Sequence, residues 1–532
     1  MAGLDIAKRS VRGSLILFIG NFGATAISAI TLILIARLLG PTDYGVYSLA
    51  LVTPGLLQLF LGLGVSTSVI RYAAFYNSSG KPDEARRFAI NAIYFVLLTG
   101  VVLTCISFFL AGTLSSLLLH RSDLTGYVQL ASLAILGYAA LLTMTSATLG
   151  WSWMSLSSVS TVTQTVVKLA LSPLLILAGL GITGALVGHL VSYIVAGVLG
   201  TSVFYFAKLR GSTGGGRFVG DVKEMLRFGL PLYTGGLISG LAVYYATIIL
   251  ASIANNTVFG YYQAASNFIA PITLVASALY NSLFPAFASV DGSGGSVQVA
   301  FKSAYKFVAF LLTPIIFFIV STSSLLIQLF YGASYLGSVS YLELLALAYI
   351  PIAFGYSVHT AFFTGFGKPR LAMYVYLGGA LTLLISAPLL AIEYGLGVDG
   401  LILANFLSYL AAWIVGTVLA KRNMNATLDM RANAAILLVS VISYLGTVLA
   451  SGAHLSMALT FLLDLIVFLG LFLTLAPLSG AVNKVDVETM EYTFKDLRAL
   501  NFIVGPLLWY ERLVLSVRNR STQDHRATNP PP

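Results

Sequence analysis

Charged side chains are scarce in this sequence. Only 9% of its 532 residues are Asp, Glu, Lys or Arg, whereas 58% are hydrophobic, and the mean hydropathy is +0.91. Soluble domains carry about 25% charged residues, so this chain has too few charged groups to cover a surface exposed to water. The composition therefore excludes an ordinary soluble domain and predicts a polytopic membrane protein.

Cysteine is almost absent, since Cys105 is the single one and it lies inside an apolar run. One cysteine excludes a disulfide within the chain and a metal site built from cysteines. The sequence also has no G-x-x-x-x-G-K-[ST] motif, which argues against direct use of ATP. No group of residues resembles a catalytic centre. We therefore expect no metal, no cofactor and no enzymatic activity.

Long apolar runs dominate the chain instead. A helix needs about 20 apolar residues to cross the hydrocarbon core of a bilayer. Tight turns with helix-breaking residues separate several runs, among them Gly40-Pro41 and the stretch 177–184. The sequence predicts an all-α membrane protein with fourteen transmembrane helices, at 14–36, 46–70, 88–111, 127–148, 157–179, 182–207, 228–252, 259–287, 303–330, 340–365, 371–392, 398–420, 432–450 and 455–477.

The basic residues are distributed unequally between the two sides of the membrane. The net charge is +10, from 29 Lys and Arg against 19 Asp and Glu. With a cytoplasmic N-terminus, 26 of the 29 basic residues lie on the cytoplasmic side, and only Arg37 and Arg121 lie outside, while Lys168 falls within a span. This asymmetry follows the positive-inside rule and predicts that both termini are cytoplasmic. The charge therefore reflects topology and does not indicate nucleic-acid binding.

The sequence also contains an internal repeat. Residues 31–50 align with 246–265 with six of twenty positions identical, and 181–201 align with 397–417 with seven of twenty-one identical. Each copy holds six predicted spans, an even number, so both copies have the same orientation, as in transporters with parallel repeats. The predicted domains are a first lobe at 1–210, a linker at 211–227, a second lobe at 228–422, two added helices within 423–480 and a cytoplasmic tail at 481–532.

Three stretches resemble a known family. ARLLGPTDYGVY (36–47), followed by GLGVSTSVIRYAAFY (62–76), resembles the N-terminal signature of polysaccharide-biosynthesis flippases. FGYYQAASNF with LFPAFASV (283–290) resembles the start of their second half, and 366–410 resembles their eleventh and twelfth helices.

The resemblance implies a lipid-linked oligosaccharide flippase of the multidrug/oligosaccharidyl-lipid/polysaccharide exporter superfamily. Such proteins are V-shaped, two-lobed transporters that work by alternating access. Members often carry an acidic residue in the seventh helix, where this chain reads AVYYATIIL (242–250). The resemblance therefore does not extend to a mechanism that uses that carboxylate.

Span five carries a polar face. Its residues follow one another at spacings of 4, 3, 4 and 4, which places them on one side of a helix; they are Ser157, Thr161, Gln164, Lys168 and Ser172. A lysine in the middle of a span needs water, an acidic partner or an anionic ligand. One interpretation is a cavity-lining cation that binds the phosphate or glycan of a substrate. The other is interhelical hydrogen bonding, with the lysine paired to a neighbouring carboxylate.

Three more residues are candidates for lining a substrate cavity. Arg71 ends span two, where it either projects into a cavity or anchors the helix at the interface. Arg37 lies at the outer end of span one and either has a role in binding or pairs with Asp43. Asn21 is flanked by glycines within span one, which fits either cavity lining or close helix packing.

Other polar residues within spans are candidates for ion or proton coupling. Asp464 lies near the centre of the last span, outside the repeat, so a structural partner is the favoured interpretation. Glu343 and His359 in span ten are further candidates. His189 and Asn405 occupy equivalent positions in the two copies, which favours a shared packing role.

The leading hypothesis is a plasma-membrane flippase for a lipid-linked oligosaccharide or polysaccharide precursor. Its expected partners are a polyprenyl-linked glycan, the bilayer and glycan-assembly enzymes. The first alternative is a drug/cation antiporter of the same superfamily, but antiporters usually carry an acidic residue in the first helix, where this chain has none. The second alternative is a membrane-embedded glycan polymerase or glycosyltransferase, for which the predicted loops are too short.

Overall fold

The structure is a computed structural model that describes residues 2–210, 217–290, 294–451, 456–483, 487–488, 505–506 and 509–516. The side chains of residues 2–15 and 294 are not described. The regular structure in these ranges is helical and contains no β-strand, which confirms the predicted all-α class. The predicted linker loop at 211–216 and most of the predicted tail lie outside the described residues.

The chain forms two compact units. The first comprises Met1–Asn267 and Ala387–Leu401. Its helices, in chain order, are α1 (Ala2–Ala50), α2 (Val52–Gln58), α3 (Val65–Ser78), α4 (Pro82–Phe109), α5 (Ala111–Leu118), α6 (Thr125–Ser132), α7 (Ala134–Gly150), α8 (Met154–Leu175), α9 (Gly181–Phe204), α10 (Phe218–Ile253) and α11 (Asn256–Asn267).

The second unit comprises Phe268–Ser386 and Ile402–Pro532. The helices that follow α11 are α12 (Ala270–Ala288), α13 (Gly294–Ser321), α14 (Ser323–Phe330), α15 (Val339–Ala348), α16 (Ser357–Gly365), α17 (Pro369–Pro388), α18 (Gly397–Met424), α19 (Met430–Ala450) and α20 (Met457–Ser479). The end of α17 and the start of α18 fall in the first unit. The lobe boundaries expected from the repeat stay a prediction.

The protein is a multi-pass membrane protein. The described residues contain twelve helical segments that are long and apolar enough to cross a membrane. Two of them are much longer than one crossing requires, namely Ile16–Ser78 with 63 residues and Met154–Leu209 with 56.

Glycines interrupt both long segments at the predicted places. Gly40 has φ 75° and ψ 170° inside α1, and between α8 and α9 Gly179 has φ 90° and Gly181 has φ 50°. Only glycine adopts positive φ at little cost, because it has no Cβ. The predicted helix breaks at Gly40-Pro41 and within 177–184 are therefore confirmed.

Small residues let the helices of the first unit approach closely. α8 packs mainly on α9 and α1. A Cβ added at Gly188 of α9 would overlap Ser172 of α8, and one at Gly20 of α1 would overlap Ser158 of α8. In a bilayer, such small residues at helix interfaces allow the close packing that stabilises helix pairs. This packing fixes the face of α8 that carries the polar residues.

Candidate functional site

The polar face of α8 lies against α9. Gln164 Nε2 donates a hydrogen bond to Ser192 Oγ at 3.0 Å, and Ser172 Oγ donates one to the Ala185 carbonyl at 3.2 Å. Both acceptors belong to α9. Lys168 is one turn from Gln164 and one turn from Ser172, and its side chain is only 8% exposed. The periodicity that places these residues on one face therefore also buries Lys168 at the α8–α9 interface.

Lys168 has no carboxylate partner among the residues that the structure describes. Within the described part of the chain its ammonium group makes no hydrogen bond or ion pair. Neither α8 nor α7 nor α9 contains an Asp or Glu, and α1 contains none between Ile16 and Ala36. The ionisable neighbour is His189 of α9, whose buried Nδ1 also has no hydrogen-bond partner among the described residues. The ion-pair interpretation thus finds no acidic residue on α7, on α8, on α9 or within Ile16–Ala36 of α1.

A second group of polar residues joins α4 to α10, and we call Arg87, Asn91 and Asp221 the Asp221 cluster. Arg87 Nε lies 2.8 Å and Arg87 Nη2 lies 3.4 Å from the Asp221 carboxylate. Asn91 Nδ2 donates to the same carboxylate at 2.8 Å. Asn91 is fully buried and Asp221 is 3% exposed. Arg87 also pairs with Glu84 on its own helix at 2.5 Å.

Arg71 of α3 contacts α10 seven residues beyond Asp221. Its guanidinium carbon is 4.1 Å from the centroid of the Phe228 ring of α10, which is cation–π geometry. The same two helices are joined by a hydrogen bond from Ser68 Oγ to the Met225 carbonyl at 2.6 Å. The predicted candidate Arg71 thus contacts α10, although the sequence did not indicate this partner.

The part of α1 that follows the Gly40 break contacts the first turn of α11, and we call this contact the turn junction. The hydroxyl oxygens of Thr42 and Thr257 lie 2.8 Å apart. Arg121 Nη1 donates to Asn256 Oδ1 at 2.7 Å. Arg37 is exposed on α1 and precedes the Gly40 break.

The remaining candidates are placed elsewhere. Asn21 is exposed on α1. In the second unit, Ser323 Oγ donates to Glu343 at 2.6 Å, and the fully buried His359 has its Nε2 2.6 Å from the Tyr305 hydroxyl.

Asp464 is 1% exposed and accepts a hydrogen bond from Ser451 Oγ at 2.9 Å. The three second-unit candidates therefore all have hydrogen-bond partners within the protein. Among the described residues, no three His, Cys, Asp or Glu side chains lie close enough to hold a metal ion.

The chain is similar to proteins of cell-envelope biosynthesis. The family described as "Polysaccharide biosynthesis protein" matches residues 10–290, which is more than half of the chain. The Escherichia coli (strain K12) "Lipopolysaccharide biosynthesis protein WzxC" is 22% identical over 356 residues, covering 65% of this chain and 68% of that protein. The Bacillus subtilis (strain 168) "Lipid II flippase MurJ" is 21% identical over 485 residues, covering 83% of this chain and 88% of that protein.

A solved structure has the same fold. The structure described as "Lipid II flippase MurJ, inward closed conformation" superposes with a TM-score of 0.73 and 15% sequence identity, covering 91% of this chain and 99% of that one. At this identity the likeness establishes the fold alone. The structure described as "Inward-facing conformation of a multidrug resistance MATE family transporter of the MOP superfamily" also superposes, with a TM-score of 0.63 and 18% sequence identity, covering 75% of this chain and 94% of that one.

Proposed function

Because the chain belongs to the polysaccharide biosynthesis protein family, we propose that it is a flippase, and not an enzyme, which moves a lipid-linked oligosaccharide or polysaccharide precursor from the cytoplasmic to the outer leaflet. The observation that carries this proposal is the alignment with a lipid II flippase over 88% of that protein's length. A multidrug resistance transporter of the superfamily shares the fold, so the fold does not separate a flippase from the alternative, a drug/cation antiporter. The acid-free first span, Ile16 to Ala36, favours the flippase.

The proposed topology has fourteen transmembrane helices, with both termini cytoplasmic and the protein in the plasma membrane. Two of the twelve apolar segments would each supply two crossings. A straight helix of 63 residues would be roughly 95 Å long, about three times the thickness of the hydrocarbon core. The glycine breaks at Gly40 and at Gly179 and Gly181 divide the two long segments. The excess of Lys and Arg on one side sets the orientation.

The two copies of the repeat, 1–210 and 228–422, would then form parallel lobes, with the substrate between repeats as in other transporters of this kind. The two added helices within 423–480 and the tail from 481 follow the second lobe. The polyprenyl chain would stay in lipid while the polar glycan crosses through a hydrated cavity. Glycan-assembly enzymes on the cytoplasmic side would supply the precursor.

Lys168 is the proposed binding residue for the substrate phosphate. A buried ammonium without a counterion is unfavourable in a membrane protein, and α7, α9 and residues 16–36 of α1 contain no carboxylate. An anionic phosphate would fill that role through charge-assisted hydrogen bonds. Gln164 and Thr161 on the same helix, with Arg71, Arg37 and Asn21, are proposed to line the path of the polar groups. Asp464, Glu343 and His359 remain proposed coupling residues.

Deletion of the gene tests the function in the cell. The proposal predicts that the deletion strain loses a surface glycan and accumulates the corresponding lipid-linked precursor in the cytoplasmic leaflet. A plasmid copy of the gene should restore both to normal. If surface glycans and lipid-linked intermediates are unchanged in the deletion strain, the proposed function is wrong.

A further inference from the structure

The Asp221 cluster has the form of an occupied anion-binding site. One carboxylate receives hydrogen bonds from two guanidinium nitrogens of Arg87 and from the amide of Asn91. The planar guanidinium group matches the geometry of both carboxylates and phosphates, and the amide adds one more donor. Asn91 is fully buried, so its amide would lose its hydrogen bond to Asp221 without gaining bulk water if only the carboxylate left.

The donors and the acceptor belong to different helices. Arg87 and Asn91 lie on α4, whereas Asp221 lies in the first turn of α10. The same stretch of α10 places the Phe228 ring over the guanidinium of Arg71. Residues 221–228 of α10 therefore cover two cations of the preceding helices, one with a carboxylate and one with an aromatic ring.

The positive charge of Arg87 would remain paired if α10 moved away. Arg87 would keep the carboxylate of Glu84, which pairs with it from one turn earlier on α4. Arg87 Nε and the Asn91 amide, which now bind Asp221, would be left as donors without an acceptor. The same movement would take Phe228 off Arg71, so a second cation would become available, and the site would attract an oxyanion.

The depth of the site matches a lipid headgroup. Arg87 is five residues from the start of α4 at Pro82, which is roughly 8 Å along a helix. In the proposed topology that end of α4 is cytoplasmic, so Arg87 lies near the level of the inner-leaflet phosphates. A lipid-linked substrate carries its phosphate at this level before it is moved.

We propose that Arg87 and Asn91, with Arg71 beside them, form the entry site for the phosphate or diphosphate of the lipid-linked substrate, and that Asp221 occupies this site as an internal substitute until substrate displaces α10. This inference rests on the proposed function. The entry site would be a second phosphate-binding position besides Lys168. Asp221 of α10 would compete with the substrate for this site.

Binding to the purified full-length protein, in nanodiscs of neutral phosphatidylcholine, tests the site. The probes are inorganic pyrophosphate and farnesyl diphosphate, a soluble short-chain prenyl diphosphate. Asp221→Asn removes the competing charge and keeps the shape, and we expect it to bind farnesyl diphosphate roughly ten- to a hundredfold more tightly than the wild type, the range that one charge-assisted hydrogen bond provides. The double variant Arg87→Gln, Asp221→Asn should lose this gain.

The matched control is Asp123→Asn, which removes the acidic partner of Arg121 in another ion pair of 2.8 Å and should leave binding unchanged. Equal affinities of the wild type, Asp221→Asn and the double variant would overturn the proposal and leave the cluster as a structural ion pair. A gain for pyrophosphate alone would overturn the assignment to a lipid-linked substrate. A gain for both probes, or for farnesyl diphosphate alone, supports it.

A second measurement keeps Asp221 in place, in case its replacement prevents folding. Gly220 is exposed and has open space at its Cβ position, so Gly220→Cys in a Cys105→Ser background reports on the start of α10. We expect farnesyl diphosphate to change the rate of maleimide labelling severalfold, and Arg87→Gln to abolish the change. An unchanged rate would contradict displacement of α10. If the ligand binds as expected but no glycan is translocated, the proposed function fails and the phosphate site stands.

Discussion

The hydroxyl oxygens of Thr42 and Thr257 lie 2.8 Å apart, and the two threonines occupy the same position in the two copies of the repeat, 215 residues apart. Gly45 and Gly260, three residues after these threonines, also make equivalent contacts with the opposite copy. A Cβ on Gly45 would overlap the Asn256 carbonyl, and a Cβ on Gly260 would overlap the Pro41 carbonyl. Equivalent residues that contact each other are the mark of an interface around a two-fold axis. The two copies of the repeat therefore contact each other through equivalent residues at the turn junction.

The glycines of the turn junction should not tolerate a methyl group. We expect Gly45→Ala and Gly260→Ala each to lower the free energy of unfolding by about 1–3 kcal/mol, since overpacking forces the backbone apart. Gly23→Ala is the control, because a Cβ at Gly23 meets no atom within 4 Å. Thermal unfolding in detergent measures all three. A melting temperature for Gly45→Ala equal to that of Gly23→Ala would contradict the close packing.

The buried charge of Lys168 should lower the stability of the protein while being required for transport. We expect Lys168→Met to raise the free energy of unfolding by about 2–3 kcal/mol, because the charge at this depth is unfavourable, and to abolish transport. Lys168→Arg should keep part of the transport activity, since it keeps the charge. The exposed Lys302 provides the control, and Lys302→Met should change neither quantity. If Lys168→Met transports normally, the lysine has no role in binding substrate.

The ion pairs of α4 should differ in their contribution to stability. Arg87→Gln leaves a nearly buried Asp221 carboxylate without its cation, and we expect a loss of about 3 kcal/mol. Arg86→Gln breaks the pair with Asp83, whose side chain is 86% exposed, and we expect a loss below about 1 kcal/mol. Denaturant unfolding of both variants gives the comparison. Equal losses would show that Asp221 is not desolvated in the native protein.

The sequence predicted local features well. The breaks at Gly40 and Gly181 were predictable because a Gly-Pro pair or a Gly-rich turn acts within a few residues. The position of Lys168 on the face shared with Gln164 was predictable from the helical period alone, whereas its burial was not. Neither inference requires knowledge of which helices are neighbours.

The Asp221 cluster was not predictable from the sequence. Arg87 and Asp221 are 134 residues apart, and the positive-inside rule already accounts for an arginine at the end of a span. The repeat likewise predicted that α10 and α11 belong to the second lobe, whereas the first compact unit extends to Asn267. Tertiary contacts such as the Thr42–Thr257 hydrogen bond contribute to that boundary, and no local sequence pattern predicts them.

The turn junction is expected to open during transport if the protein works by alternating access. Thr42→Cys with Thr257→Cys, in a Cys105→Ser background, should form a disulfide on oxidation, because the native hydroxyls are in hydrogen-bond contact. Ser107→Cys with Ser132→Cys is the matched control, since those hydroxyls are 2.6 Å apart between α4 and α6 of the same lobe. We expect the first disulfide to block transport and the second to leave it intact.

Translocation of a polyprenyl-linked glycan in vesicles that contain the purified Thr42→Cys, Thr257→Cys protein is the most direct test of the flippase function. We predict that the reduced protein moves the glycan to the opposite leaflet, that oxidation stops this movement, and that a reductant restores it. Failure of the reduced and wild-type proteins to move any polyprenyl-linked glycan faster than protein-free vesicles would contradict the proposed function.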